Sequence, residues 1–117
     1  MKPKIAFFLA LIAVAFAASG CAYSSADLRA TAPVFTGLTH RPLPEYAGCV
    51  QEGWLGAGIS SINYIPKSDG ISLSVNGIAG TDLLLDAHSS ANGSRVLIFS
   101  RLPYGYDRPS SEAEKCL

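Results

Sequence analysis

The residues best suited to acid–base or metal chemistry are two histidines and the acidic residues near one of them. Asp86 and His88 are two positions apart on a predicted strand, so their side chains lie on one face. Such a pair could orient an imidazole or supply two zinc ligands, but a third ligand would have to come from Asp82 or His40. We favour the alternative, a polar face of a strand that faces solvent. We therefore predict no catalytic residue, no metal and no cofactor.

Residues 1–20 have the layout of a secretory signal peptide. Lys2 and Lys4 precede an apolar run over residues 5–18, and small residues follow it. A helix of this run would rise only about 21 Å, which is short of the roughly 30 Å hydrocarbon core of a bilayer. We interpret the segment as a cleaved signal, with an uncleaved membrane anchor as the alternative.

The sequence Ala18-Ser19-Gly20-Cys21 resembles the lipobox of bacterial lipoproteins. In that family the signal is cut before the cysteine, whose sulfur carries a diacylglyceryl group and whose amino group takes a further acyl chain such as palmitate. The resemblance implies that Cys21 is lipidated. Ala18 stands where the family usually has leucine, so ordinary cleavage to a soluble periplasmic protein is the alternative. Ala22 replaces the aspartate that retains many such proteins in the inner membrane, which favours the periplasmic side of the outer membrane.

Lipidation of Cys21 would leave two of the three cysteines, Cys49 and Cys116. An even pair in an oxidising compartment favours a disulfide between them. The alternatives are two buried thiols or a reactive Cys116, which would need an activating base or helix terminus nearby.

The chain after Cys21 divides into a linker and one small domain. We assign residues 21–43 to the lipidated N-terminus and a linker of at most about 70 Å. Val34, Phe35 and Leu38 are its apolar residues and could dock on the domain as an extended arm. Residues 44–117 form the predicted domain.

The predicted domain has an α+β fold: an N-terminal helix, a four-stranded antiparallel meander and a short C-terminal helix. Tyr46, Cys49, Val50 and Trp54 share one helical face, and Gly53 is the predicted end of the first helix. The four strands are predicted at 60–66, 71–75, 83–89 and 95–102, and the last helix begins at Ser110 or Ser111. Both helices are expected on one face of the sheet, because they need a common apolar surface.

Two strands differ in the expected exposure of their faces. In the strand at 71–75, Ser72 and Ser74 alternate with apolar residues and are predicted to face solvent. The strand at 95–102 is apolar on both faces, so we predict that it is central and covered on both sides.

A loop at 103–109 carries the strongest candidate contact residues, Tyr104, Tyr106 and Arg108. These side chains could bind a protein or stack on a sugar, or the tyrosines could pack beneath the sheet. Trp54 could likewise stack on a ligand, but a buried core position is the favoured interpretation.

The charge of the chain argues against nucleic acid as a partner. Without residues 1–20, the chain keeps seven basic and nine acidic residues, a net charge of about −2. The layout as a whole resembles small, largely uncharacterised envelope lipoproteins of Gram-negative bacteria. We therefore expect a non-enzymatic, lipid-anchored envelope protein that binds a protein partner at the periplasmic face of the membrane. The alternative is a periplasmic hydrolase inhibitor or a glycan-binding module.

Overall fold

The computed structural model of the protein describes residues 23–102 and 107–117. It confirms the α+β class. In chain order the elements are α1 (Ser25–Arg29), β1 (Phe35–Thr39), α2 (Leu43–Gly56), β2 (Ile62–Lys67), β3 (Gly70–Gly77), β4 (Gly80–Ser90), β5 (Gly93–Ser100) and α3 (Asp107–Lys115).

The sheet has five antiparallel strands in the order β1-β5-β4-β3-β2, so the prediction of four strands is wrong. Strands β2 to β5 form the expected meander. The fifth strand is β1, which pairs with β5 in a register that places Phe35 opposite Ile98 and Thr39 opposite Ser94. This segment extends the sheet beyond β5, so that β5 lies inside the sheet and β1 forms its edge.

Val34 and Phe35 pack on the main core, as the predicted docked arm requires. The predicted linker over 21–43 is nevertheless wrong for its described part, residues 23–43. Besides β1, it contains the short helix α1, whose N-terminus is closed by a capping box. Ser24 Oγ accepts a hydrogen bond from the Asp27 backbone N–H at 3.1 Å, and Asp27 Oδ2 accepts one from the Ser24 backbone N–H at 2.9 Å. Leu28 of this helix is fully buried against the sheet.

Helices α2 and α3 pack on one face of the sheet, where the main core lies. Tyr46, Val50 and Trp54 are fully buried there, as their spacing predicts. Helix α2 continues past the predicted end at Gly53 to Gly56, so Trp54 lies within the helix. Helix α3 begins at Asp107, earlier than predicted, because Pro109 is tolerated in the first turn of a helix.

The opposite face of the sheet has a second, smaller apolar cluster. It consists of Leu28 of α1 with Leu84 of β4 and Phe99 of β5, and Leu97 packs against it. Strand β5 is thus covered on both faces, as predicted. The expected exposure of Ser72 and Ser74 is wrong, because both side chains are buried. Arg29 of α1 reaches over this face and makes Ser72 part of a buried polar network.

Candidate functional site

The carboxylate of Asp86 is the centre of that buried network. Its partners in the described residues are Arg29, Ser72 and Lys67, and it forms no hydrogen bond with His88. Asp86 is only 2% exposed. Arg29 donates to it through Nε, at 2.7 Å from Oδ2, and through Nη2, at 3.0 Å from Oδ1. Ser72 Oγ donates to Oδ1 at 2.5 Å, and Lys67 Nζ lies 3.7 Å from the same oxygen. These contacts occupy the carboxylate and fix it as the docking point for α1.

The pKa of Asp86 reflects a balance between burial and these partners. Burial by itself raises the pKa of a carboxyl group. The hydrogen bonds from Arg29 and Ser72, with the charges of Arg29 and Lys67, outweigh that effect and hold the pKa of Asp86 below its ordinary value. The same hydrogen bond to Asp86 raises the pKa of Arg29. The pair is therefore ionised at neutral pH, and Asp86 is held as an anion.

The two histidines lie away from this network. His88 is partly exposed, and its Nδ1 is 3.7 Å from Oδ2 of Asp69 in the turn before β3. His40 is exposed after β1, close to Gly93 at the start of β5. Asp82, the other candidate third ligand, forms an ion pair with Arg101. Across residues 23–102 and 107–117, no group of three or more potential metal ligands comes together.

Helices α2 and α3 are joined to each other by covalent and polar contacts. Cys49 and Cys116 form the disulfide that the cysteine count favours, with their Cα atoms 5.8 Å apart. Trp54 Nε1 donates to the Pro109 carbonyl oxygen at 3.0 Å, and the Tyr46 hydroxyl donates to the Ala113 carbonyl oxygen at 3.2 Å. Trp54 is therefore a structural residue that is inaccessible to a stacking ligand. Burial raises the pKa of the Tyr46 hydroxyl.

The candidate contact loop is only partly described. Tyr104 and Tyr106 lie outside the described residues. Arg108 is in the first turn of α3, where it is exposed and its Nε lies 3.3 Å from Oε1 of Glu112. The side chain of Arg108 is thus engaged on the surface of its own helix.

A shallow, open groove of about 430 Å³ lies where β1 meets the β4–β5 turn. Its lining residues are Thr36, Gly37, Leu38, Ser90, Asn92 and Arg95. Leu38 is 48% exposed beside the cation of Arg95, which is its register partner on β5. In the described part of the chain, β1 is an edge strand that pairs only with β5. Sequence reasoning missed this surface because it assigned β1 to a linker.

The first described residue, Tyr23, is fixed to the opposite end of β4. Its backbone N–H donates to the Ala79 carbonyl oxygen at 2.8 Å, and its carbonyl accepts from the Thr81 N–H at 2.9 Å. Gly80, between these partners, has a φ of 110°, and a Cβ there would overlap the Tyr23 carbonyl oxygen. The sequence signal for this docked arm is the Ser24-x-x-Asp27 capping box, which marks a helix start immediately after Tyr23.

Comparisons with protein-family models, with curated proteins and with solved structures found no match to this chain. Among the helices of the described ranges, none has the length and apolar character needed to cross a membrane.

Proposed function

We propose that the protein is a lipid-anchored component of the cell envelope, attached through Cys21 at the periplasmic side of the outer membrane. The observation that carries the proposal is how the cysteines are used. Two of the three form a disulfide within the folded domain, which suits an oxidising compartment. The third, Cys21, ends the lipobox-like sequence and cannot pair with either of them. Two or more acyl chains on that residue would give stable membrane attachment.

Intact mass spectrometry of the full-length protein, extracted from membranes with detergent, tests this proposal. We expect a chain that begins at Cys21 and carries acyl chains, and that gains two hydrogens on reduction of Cys49–Cys116. The matched control is Cys21→Ser, which should keep the disulfide but lose the acyl mass. A wild-type mass without acyl chains would contradict the anchor.

At this membrane, the domain acts as a protein-interaction module through the groove beside β1. An edge strand offers backbone N–H and C=O groups that a partner strand can pair with. Leu38 and Arg95 add an apolar and a cationic contact beside that edge. The partner that this surface fits is an envelope protein with an extended segment carrying an acidic side chain.

Site-specific photo-crosslinking in intact cells tests the interaction surface. We expect a photoreactive residue at Leu38 to give a discrete protein adduct. The matched control places the photoreactive residue at Tyr64, which is 42% exposed on β2 at the other edge of the sheet. The Arg95→Glu substitution should abolish the adduct formed from position 38. Identical adducts from both edges, or an adduct that is unaffected by Arg95→Glu, would contradict a specific groove.

A further inference from the structure

The N-terminal arm leaves almost no chain between the lipidation site and the folded domain. Tyr23 is bonded through its backbone to Ala79 and Thr81, and it lies only two residues after Cys21. Two residues span at most about 7 Å when fully extended. An acylated Cys21 would therefore hold this end of β4 directly against the membrane surface.

The arm is held in place by more than the two hydrogen bonds at Tyr23. Helix α1 follows directly. Its residue Leu28 is buried against the sheet, and its residue Arg29 binds the buried carboxylate of Asp86. Ser25 Oγ also lies 3.2 Å from Thr81 Oγ1 at the start of β4. These contacts keep the beginning of the arm and the start of β4 together, so the anchor fixes the orientation of the sheet and not merely its distance from the bilayer.

Exposed apolar side chains lie at the same end of the sheet, and that of Ile78 is the most exposed of the large apolar side chains in the described residues. Strand β3 continues past Val75, the end of the predicted strand, through Gly77 with a register shift after Val75. The turn therefore falls at Ile78, whose side chain is fully exposed at the tip of the β3–β4 hairpin. Tyr23 is 37% exposed beside this hairpin.

Leu102 belongs to the same end of the sheet. The backbone N–H of Arg101 donates to the Asp82 carbonyl oxygen at 2.9 Å, so the chain leaves β5 beside the start of β4. Leu102 follows directly and is 44% exposed. An isoleucine and a leucine next to a tyrosine form the combination that partitions into the boundary between headgroups and acyl chains.

We propose that the tip of the β3–β4 hairpin is a second membrane contact, with Ile78 inserted into the outer part of the lipid layer and Tyr23 at its surface. This inference rests on the proposed lipidation of Cys21. The partner is the lipid bilayer itself. In the resulting orientation β4 runs away from the membrane, and the β4–β5 turn with the groove beside it points into the periplasm, where an envelope protein can reach it.

Depth-dependent fluorescence quenching tests the orientation. An Ile78→Cys variant of the full-length lipidated protein is labelled with an environment-sensitive fluorophore and reconstituted into vesicles of phosphatidylethanolamine and brominated phosphatidylglycerol. The introduced thiol is the one available for labelling, because Cys21 carries lipid and the other two cysteines form the disulfide. The matched control is Ala91→Cys, at the exposed tip of the β4–β5 hairpin. Strand β4 separates the two tips by roughly 34 Å.

We expect severalfold stronger quenching at position 78 than at position 91. Equal quenching at both positions, or stronger quenching at 91, in a protein whose mass includes the acyl chains would overturn the orientation but leave the lipid anchor intact. A mass without acyl chains would overturn both proposals.

Discussion

Arg29 and Asp86 are 57 residues apart in the chain, yet the arginine Nε lies 2.7 Å from a carboxylate oxygen of the aspartate. The contact joins the short N-terminal helix to the centre of the sheet. Asp86 is almost completely buried, whereas the side chain of Arg29 keeps 37% of its surface exposed. Removal of Arg29 would therefore leave a buried carboxylate with Lys67, at 3.7 Å, as its remaining cationic partner.

The first prediction concerns Arg29→Ala. We expect the free energy of unfolding to fall by about 3 kcal/mol, because the loss of one partner leaves a poorly compensated buried charge. Urea denaturation of the full-length protein in a non-ionic detergent, followed by the fluorescence of the buried Trp54, measures the change. The matched control is Arg108→Ala, which removes an exposed ion pair with Glu112 and should cost less than about 1 kcal/mol. Equal losses in the two variants would contradict the special role of Arg29.

The second prediction concerns the pH dependence of stability. Although burial raises the pKa of Asp86, its hydrogen bonds and neighbouring charges hold the folded-state pKa below the ordinary value of 3.8. The carboxylate therefore contributes stability above that value, and the contribution is lost as the pH falls through the lower, folded-state pKa. Wild type should exceed Asp86→Asn in unfolding free energy at about pH 7, and the difference should shrink as the pH falls below about 4. A difference that stays constant over this range would show that ionisation of Asp86 does not stabilise the fold.

The third prediction concerns the disulfide. It closes a loop of 67 residues, and chain entropy predicts that its removal lowers the free energy of unfolding by about 4 kcal/mol. The double variant Cys49→Ser/Cys116→Ser, compared with wild type by urea denaturation, measures this loss. Reduction of the wild-type protein should give a similar loss. A stable double variant within about 1 kcal/mol of wild type would indicate that the polar contacts between α2 and α3 suffice.

The fourth prediction separates two glycines by their surroundings. In Gly80→Ala the new Cβ meets the Tyr23 carbonyl oxygen and the backbone has a positive φ, so we expect loss of stability and release of the arm. Gly48 lies in α2 with open space around its Cβ position, so Gly48→Ala should raise stability by about 0.5–1 kcal/mol. The change in melting temperature shows whether each variant gains or loses stability. Hydrogen exchange at the Thr81 N–H, which is bonded to the Tyr23 carbonyl oxygen, reports release of the arm. A destabilising Gly48→Ala or a neutral Gly80→Ala would contradict this assignment.

The sequence predicted the elements whose apolar residues repeat with a clear period. Helix α2 and the meander from β2 to β5 follow from such patterns. The two apolar faces of β5 correctly predict a strand covered on both sides, but the central strand of the sheet is β4. For β1 the sequence predicts only a possible docked arm and no strand, because the inward-facing positions of β1 include Gly37 and Thr39, which give no apolar alternation. The position of α3 was predicted, but its first turn was assigned to a loop because of Pro109.

The polar residues of β3 and β4 could not be interpreted in the same way. Alternation shows which side chains share a face, but it does not show whether another element covers that face. Ser72 and Asp86 looked solvent-exposed, and Arg29 could not be identified as their partner from a position so distant in the chain. The candidate zinc or hydrolase pair was an interpretation of the same residues, whose carboxylate binds the arginine of α1.

The disulfide divides the chain into two parts that respond differently to mechanical force. Residues 49–116 form a covalently closed loop that contains β2 to β5, whereas α1 and β1 lie outside it. If the lipid anchor and a bound partner pull in opposite directions, tension passes first through the contacts of Tyr23 and Arg29. Rupture of those contacts would release residues 22–34, an extended length of roughly 45 Å, while β1, beside which the proposed partner binds, keeps its pairing with β5. The protein can therefore lengthen between the membrane anchor and the groove without unfolding the disulfide-closed part of the domain.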